Sequence, residues 1–139
     1  METRFVHSEF TGGMSFTADI YGHKILVDAK PDEGGEDRGP GPKTLMLASL
    51  AGCTGMDVVA LLKKMRVEYS DFSIDVTALQ TDEHPKIYAE TRLVYSIRLK
   101  NKSDRPKMEK AVHLSQEKYC GVSEMFRRFS KLEFEVKYL

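Results

Sequence analysis

Residues 41–59 read GPKTLMLASLAGCTGMDVV, and the fold turns on how this stretch is understood. Pro42 sits where a first-turn proline belongs, because a proline there forfeits no helical hydrogen bond. From it, residues 43–65 have helical composition, with Lys43 and Asp57 the charged side chains before Lys63. A bilayer needs about 20 consecutive apolar residues. Ser49, Gly52, Thr54, Gly55 and Asp57 interrupt the run, so the segment is expected to stay out of the membrane. A helix apolar on nearly all sides cannot lie bare on a small domain; it must be covered by its own sheet and by a second subunit. The stretch therefore predicts a long buried helix in a dimer.

Upstream of it, Met14, Phe16, Ala18 and Ile20 alternate with Ser15, Thr17 and Asp19, the two-residue period of a half-buried strand. Residues 3–10 precede the Gly12-Gly13 turn, and residues 23–28 follow the turn at Tyr21-Gly22-His23. Together they predict a three-stranded meander. Residues 31–42 follow as a loop rich in breakers: Pro31, Gly34, Gly35, Gly39, Pro40, Gly41 and Pro42. A loop this long is often functional.

Downstream, Phe72, Ile74, Val76 and Ala78 alternate with polar residues, as do Leu93, Tyr95, Ile97 and Leu99 with Ser96 and Arg98. His84-Pro85 between the two runs points to a hairpin. Ser103-Asp104-Arg105-Pro106 is a helix start, after which Met108, Ala111, Val112, Ser115 and Tyr119 recur at helical spacing. Gly121 interrupts that stripe. A short helix with Val122, Met125, Phe126 and Phe129 leads to a last strand marked by Leu132, Phe134, Val136 and Tyr138. The expected order is three strands, a long helix, two strands, two helices and one strand, an α+β arrangement.

The chain of 139 residues suits a single domain over residues 1–139. Lysine plus arginine and aspartate plus glutamate both number 21, so no net field favours nucleic acid or an anionic membrane as partner. Met1 runs directly into the polar stretch at residues 2–10 without the pattern of a secretory signal, which predicts a cytoplasmic location. The four histidines, His7, His23, His84 and His113, fall into no zinc-ligand spacing, and no metal is expected. The two cysteines, Cys53 and Cys120, are too few for a disulfide framework, so any bridge between them is expected to be functional.

Cys53 lies in Ala51-Gly52-Cys53-Thr54-Gly55, where small neighbours admit another backbone or a small substrate. Cys120 closes the run from Leu114 at a helix-to-helix break, where the N-terminus of a new helix would favour a thiolate. Each taken alone reads first as a small core filler, since free cysteine is among the most often buried residues.

Taken together, residues 41–59 and the later run Leu114, Ser115, Glu117, Lys118, Tyr119, Cys120 and Val122 resemble the OsmC/Ohr family, and the resemblance extends over nearly the whole chain. It implies an OsmC-like β(3)-α-β(2)-α(2)-β subunit and an intertwined homodimer around the long helix. It also implies a thiol peroxidase for organic hydroperoxides, and less readily hydrogen peroxide, in oxidative or osmotic stress defence. No metal, flavin or other cofactor is implied. Cys53 would be the peroxidatic thiolate, oxidised to a sulfenic acid, and Cys120 the resolving thiol that forms a disulfide. A dithiol of lipoyl or thioredoxin type would then reduce the pair.

The chain departs from the Ohr pattern at two positions. An arginine follows the paired glycines of the first turn in that pattern, where this chain has Met14; a glutamate follows the proline before the first cysteine, where this chain has Lys43. Two cations are available as substitutes in activating the thiol or facing substrate. Arg38 lies in the glycine-proline loop, and Lys43 lies in the first helical turn, about 15 Å along the axis from Cys53 in a straight helix. Both are also readable as solvated loop charges. Glu117 and Lys118 match the family motif and either assist catalysis or form salt bridges at the dimer interface. Asp57, one turn beyond Cys53, opposes a thiolate and is expected to pair with a basic residue or cap a kink. The two departures keep open a second function: an OsmC-like protein whose apolar pocket binds a small molecule, or which senses redox state, without efficient peroxidase activity.

Overall fold

A computed structural model describes all of residues 1–139. The chain forms two compact units, Met1–Met46 and Leu47–Leu139.

The first unit carries strands β1 (His7–Phe10), β2 (Phe16–Ile20) and β3 (His23–Val27), an antiparallel sheet in the order β1-β2-β3. This is the expected meander. Strand β1 is shorter than the 3–10 span that composition predicts, because its partner runs out: His7 pairs with Asp19, and β2 ends in the turn at Tyr21 and Gly22. That turn has positive φ at both residues, 51° and 88°, the two-residue geometry that matches strand twist. The breaker-rich loop is ordered by one buried carboxylate. Asp28 accepts backbone N–H groups from Ala29 at 2.8 Å, Arg38 at 3.2 Å and Glu36 at 3.3 Å. Gly35 and Gly39 lie so close to the carbonyls of Ala29 and Leu26 that a Cβ would stand 1.9 Å and 2.3 Å from them, so the loop could not close in this way with side chains at either position.

Helix α1 (Pro42–Lys64) leads into the second unit. There β4 (Tyr69–Gln80) and β5 (Tyr88–Leu99) form the expected hairpin, and β6 (Lys131–Tyr138) pairs with β5 in parallel, leaving β5 central. A parallel partner needs a long crossover. It is supplied by α2 (Arg105–Leu114), a π-helical turn at Ser115–Tyr119 and α3 (Gly121–Arg127). The core joins Leu50, Val58 and Leu62 of α1 to Leu93, Tyr95 and Ile97 of β5 and to Met108, Ala111, Val112 and Phe126 of the crossover.

Helix α1 is covered less completely than its sequence predicts. Its fully buried positions are Leu50, Thr54, Val58 and Leu62, a single stripe at four-residue spacing. Met56 remains 76 % exposed and Val59 41 %, since one three-stranded sheet offers only one face. By length and composition the helix is also apolar enough to cross a membrane, despite the polar residues expected to break it. What ties it into this fold is the packed stripe and the hydrogen bonds made by Thr54 and Asp57.

Candidate active site

The π turn decides where Cys120 points. One extra residue per turn at Ser115–Tyr119 lets the Cys120 N–H bond the Ser115 carbonyl at 2.7 Å, and the backbone then leaves the helix at Cys120 with φ −77° and ψ 99°. Single π turns occur frequently at functional sites. Cys120 is thereby the N-cap of α3, and its Sγ accepts the Ser123 N–H at 3.3 Å. It is 3 % exposed.

Cys53 and Cys120, both unbridged, come together. The two thiols are in hydrogen-bonding contact, and the backbone N–H of Val122 donates to Cys53. The Cys53 thiol nevertheless lies above its ordinary pKa. Burial is the main cause; the Val122 N–H acts the other way, and Cys120 and the Asp57 carboxylate add to the rise. The thiolate form of Cys53, which is the nucleophilic one, is thereby disfavoured where it stands. The Ser123 hydroxyl, next along the cap from Val122, is fully buried and has no hydrogen-bond partner, an unused donor beside the cap of α3.

Behind the thiols lies a buried polar cluster that the sequence pattern did not single out. Thr54, adjacent to Cys53 on α1, shares hydrogen bonds with Tyr95 Oη at 2.7 Å and with Ser115 Oγ at 2.8 Å. Ser115 Oγ donates to Asp57 Oδ2 at 3.0 Å, and Gln116 Nε2 donates to Tyr95 Oη at 2.7 Å. Arg127 of α3 donates to the Gln116 carbonyl at 2.6 Å and to Gln116 Oε1 at 3.4 Å. Burial, above all, raises the Tyr95 phenol above its usual range. The available signals were Thr54 inside an apolar helix and Ser115 on an apolar stripe; Tyr95 and Gln116 gave none, since a tyrosine on the inward face of a strand reads as packing.

Arg38 belongs to the first unit, where its guanidinium reaches Asp28 Oδ2 at 3.7 Å and donates to the Ser15 hydroxyl. Its partner is therefore a structural carboxylate. Lys43 occupies the exposed first turn of α1. Glu117 sits on the outer side of the π turn, within 3.4 Å of His113 Nδ1, and is turned to solvent rather than to the thiols. Asp57 is held by the Ser115 hydroxyl rather than by the basic residue or kink expected of it. No three His, Cys, Asp or Glu side chains converge as a metal site would require.

An open apolar groove of about 590 Å³ runs along α1, lined by Ala51, Gly52, Gly55, Met56 and Val59 and by Phe72 and Ile74 of β4. It begins one residue from Cys53.

Fold and site together define an α+β protein with a dithiol at the junction of a long helix and a π turn. The chain belongs to the OsmC family: the family model described as OsmC-like protein matches residues 34–135. It is similar to protein YhfA of Escherichia coli K12, 30 % identical over 117 residues, which are 84 % of each chain. It is also similar to the crystal structure of a hypothetical protein from Aquifex aeolicus VF5, with 32 % identity, a TM-score of 0.81 and coverage of 100 % and 99 % of the two chains. The organic hydroperoxide resistance protein OhrB of Bacillus subtilis shares the fold, at 20 % identity, TM-score 0.63 and 98 % coverage of both chains.

Proposed function

We propose that this protein is a thiol peroxidase for organic hydroperoxides, working through Cys53 and Cys120 in defence against oxidative stress. The observation that carries the reading is the contact between the two reduced thiols at the cap of α3. The Cys53 thiolate attacks the distal oxygen of ROOH; the O–O bond breaks, RO⁻ leaves and takes a proton to become ROH, and Cys53 becomes a sulfenic acid. The Cys120 sulfur then attacks the Cys53 sulfur and expels hydroxide, which leaves as water with the Cys120 proton. A small dithiol reduces the bridge in two exchanges and departs as its own disulfide. Arg38 and Lys43 are the cations proposed to activate the thiol where position 14 carries Met in place of Arg, and Glu117, which matches the family motif, is proposed to face the substrate.

A second subunit fits the same reading. The exposed apolar side of α1, with Met56 and Val59, is more apolar surface than one chain covers, and a homodimer would bury it. A reducing compartment such as the cytoplasm would keep the pair cycling.

Incubation with cumene hydroperoxide and dithiothreitol tests the proposal. Peroxide should disappear with the parent and persist with Cys53→Ser; with Cys120→Ser and no dithiothreitol it should fall by one equivalent and leave a trappable sulfenic acid, which the dithiol would otherwise reduce directly. Unchanged peroxide with the parent would sink it. The raised Cys53 thiol and the groove favour a second reading, a redox sensor or small-molecule binder of slow peroxide chemistry. It is distinguished by a ligand that co-purifies and stays bound to Cys53→Ser.

A further inference from the structure

The Ser115–Asp57 bond gives the hydroxyls of the buried cluster one consistent direction. Ser115 Oγ donates to the Asp57 carboxyl oxygen Oδ2 at 3.0 Å. Ser115 then has its lone pairs left for Thr54, which must donate to it at 2.8 Å. Thr54 in turn accepts from Tyr95 at 2.7 Å, and Tyr95 accepts from the amide of Gln116 at 2.7 Å. Gln116 Oε1 finally accepts from Arg127 at 3.4 Å. The result is one directed chain from a guanidinium to a carboxylate, Arg127 to Gln116 to Tyr95 to Thr54 to Ser115 to Asp57, with every hydroxyl donating once. Such aligned bonds reinforce one another in a low-dielectric interior.

The chain joins the elements that carry the two sulfurs. Thr54 and Asp57 follow Cys53 on α1, the one adjacent and the other a turn beyond, while Ser115 and Gln116 open the π turn whose last bond, Cys120 N–H to Ser115 carbonyl, aims Cys120. Arg127 closes the far side by gripping the Gln116 carbonyl from α3 at 2.6 Å. We infer that the Thr54-Tyr95-Ser115-Gln116 chain is a positioning device that sets the π turn against α1 and holds the two thiols at bridging distance. A disulfide tolerates Cα separations of only about 4.4–6.8 Å, so a small slip of one element lowers the effective concentration of one thiol toward the other. The residues act through the cysteines and touch no substrate. The inference rests on the reading that Cys53 and Cys120 form a disulfide.

The test is the equilibrium between the protein dithiol and oxidised glutathione, in which one glutathione disulfide is reduced to two thiols as the Cys53–Cys120 bond forms; no peroxide is involved. Tyr95→Phe and Thr54→Val should each lower the equilibrium constant about tenfold, raising the potential by about 30 mV. Thr54→Ser keeps the hydroxyl and should stay within about twofold of the parent, as should Val58→Ala, which loosens the same helix stripe without touching the chain. Arg127→Leu, at a partly exposed site, should give about a threefold fall. Folded variants that keep the parent constant, or a Val58→Ala that falls as far as Tyr95→Phe, would overturn the positioning role alone. A parent that forms no Cys53–Cys120 bridge with glutathione overturns the pairing beneath it as well.

Discussion

Thr54 and Ser115 share a hydrogen bond of 2.8 Å in the fully buried interior, and through it the residue after Cys53 is fastened to the turn that aims Cys120. A buried hydroxyl that loses its partner bears the whole cost of its desolvation, whereas one that keeps it contributes modestly. Thr54→Val leaves Ser115 and Tyr95 each short of a partner and should lower stability by about 1–3 kcal/mol. Thr54→Ser, which retains the oxygen and loses a methyl, should cost about 1 kcal/mol or less. Urea unfolding followed by circular dichroism separates the two; equal midpoints would show that the hydroxyl is energetically idle.

Ser123 presents the opposite case. Its hydroxyl is buried with nothing to bond, so removing it removes an unpaired polar group rather than an interaction. Ser123→Ala should leave the unfolding midpoint unchanged or raise stability by up to about 1 kcal/mol. A clear loss would mean that the hydroxyl has a partner in solution.

Much of this arrangement was legible in the sequence, for identifiable reasons. Helix α1 announced itself through Pro42 and the apolar run, and the strands through Phe72 to Ala78 and Leu93 to Leu99, because burial of one face imposes a period on the side chains. The pairing of Cys53 with Cys120 was carried by motif and not by spacing. The π turn at Ser115–Tyr119 left no trace, since its residues continue the helical stripe; the extra residue is accommodated through tertiary bonds from Thr54, Tyr95 and Arg127. The parallel direction of β6 was equally silent, because alternation is the same read either way. Arg38 read either as an activating cation or as a solvated loop charge, and its contact with Asp28 depends on a loop conformation that no local pattern encodes.

The thiol chemistry should depend on pH in a defined direction. Burial first, then Cys120 and Asp57, push Cys53 above the ordinary thiol pKa, with the Val122 N–H opposing. Alkylation of Cys53 by iodoacetamide, followed by peptide mass spectrometry, should therefore show a midpoint above that of an exposed cysteine. Asp57→Asn removes one cause and should move the midpoint down. Because the folded value is the raised one, the contribution of Cys53 to stability is complete below the unfolded thiol pKa and is lost as pH rises through the folded value. A midpoint below the ordinary thiol value would mean that a cation reaches Cys53 in solution.

Asp28 should govern the acid side. Burial alone would raise its pKa, but the N–H groups of Arg38, Ala29 and Glu36, together with the Arg38 charge, outweigh burial and hold the carboxyl below the usual range. A group depressed in the folded state stabilises above its unfolded pKa, and that contribution disappears as pH falls through the folded value. Asp28→Asn should flatten the stability profile below about pH 4, and Arg38→Met should reduce stability near neutral pH. Thermal unfolding scans across the acid range check both; a profile unchanged by Asp28→Asn would show that the loop is ordered by other contacts.

The exposed side of α1 should decide the oligomeric state. Met56, 76 % exposed, and Val59 border a groove of about 590 Å³ whose floor is Gly52 and Gly55. A Cβ at Gly52 would meet nothing within 4 Å in the isolated chain, so the space above it is available to another surface. A homodimer closing there would place apolar side chains from the second copy over the helix, and a charge in that contact would be buried without a partner, at a cost of several kcal/mol. Met56→Glu should therefore convert a dimer to a monomer in sedimentation velocity at micromolar concentration. It should leave the fold of each chain intact by circular dichroism, since Met56 is outside the core of its own subunit. A parent that sediments as a monomer, or a Met56→Glu variant that remains dimeric, would place any interface elsewhere and leave the groove open to small apolar molecules.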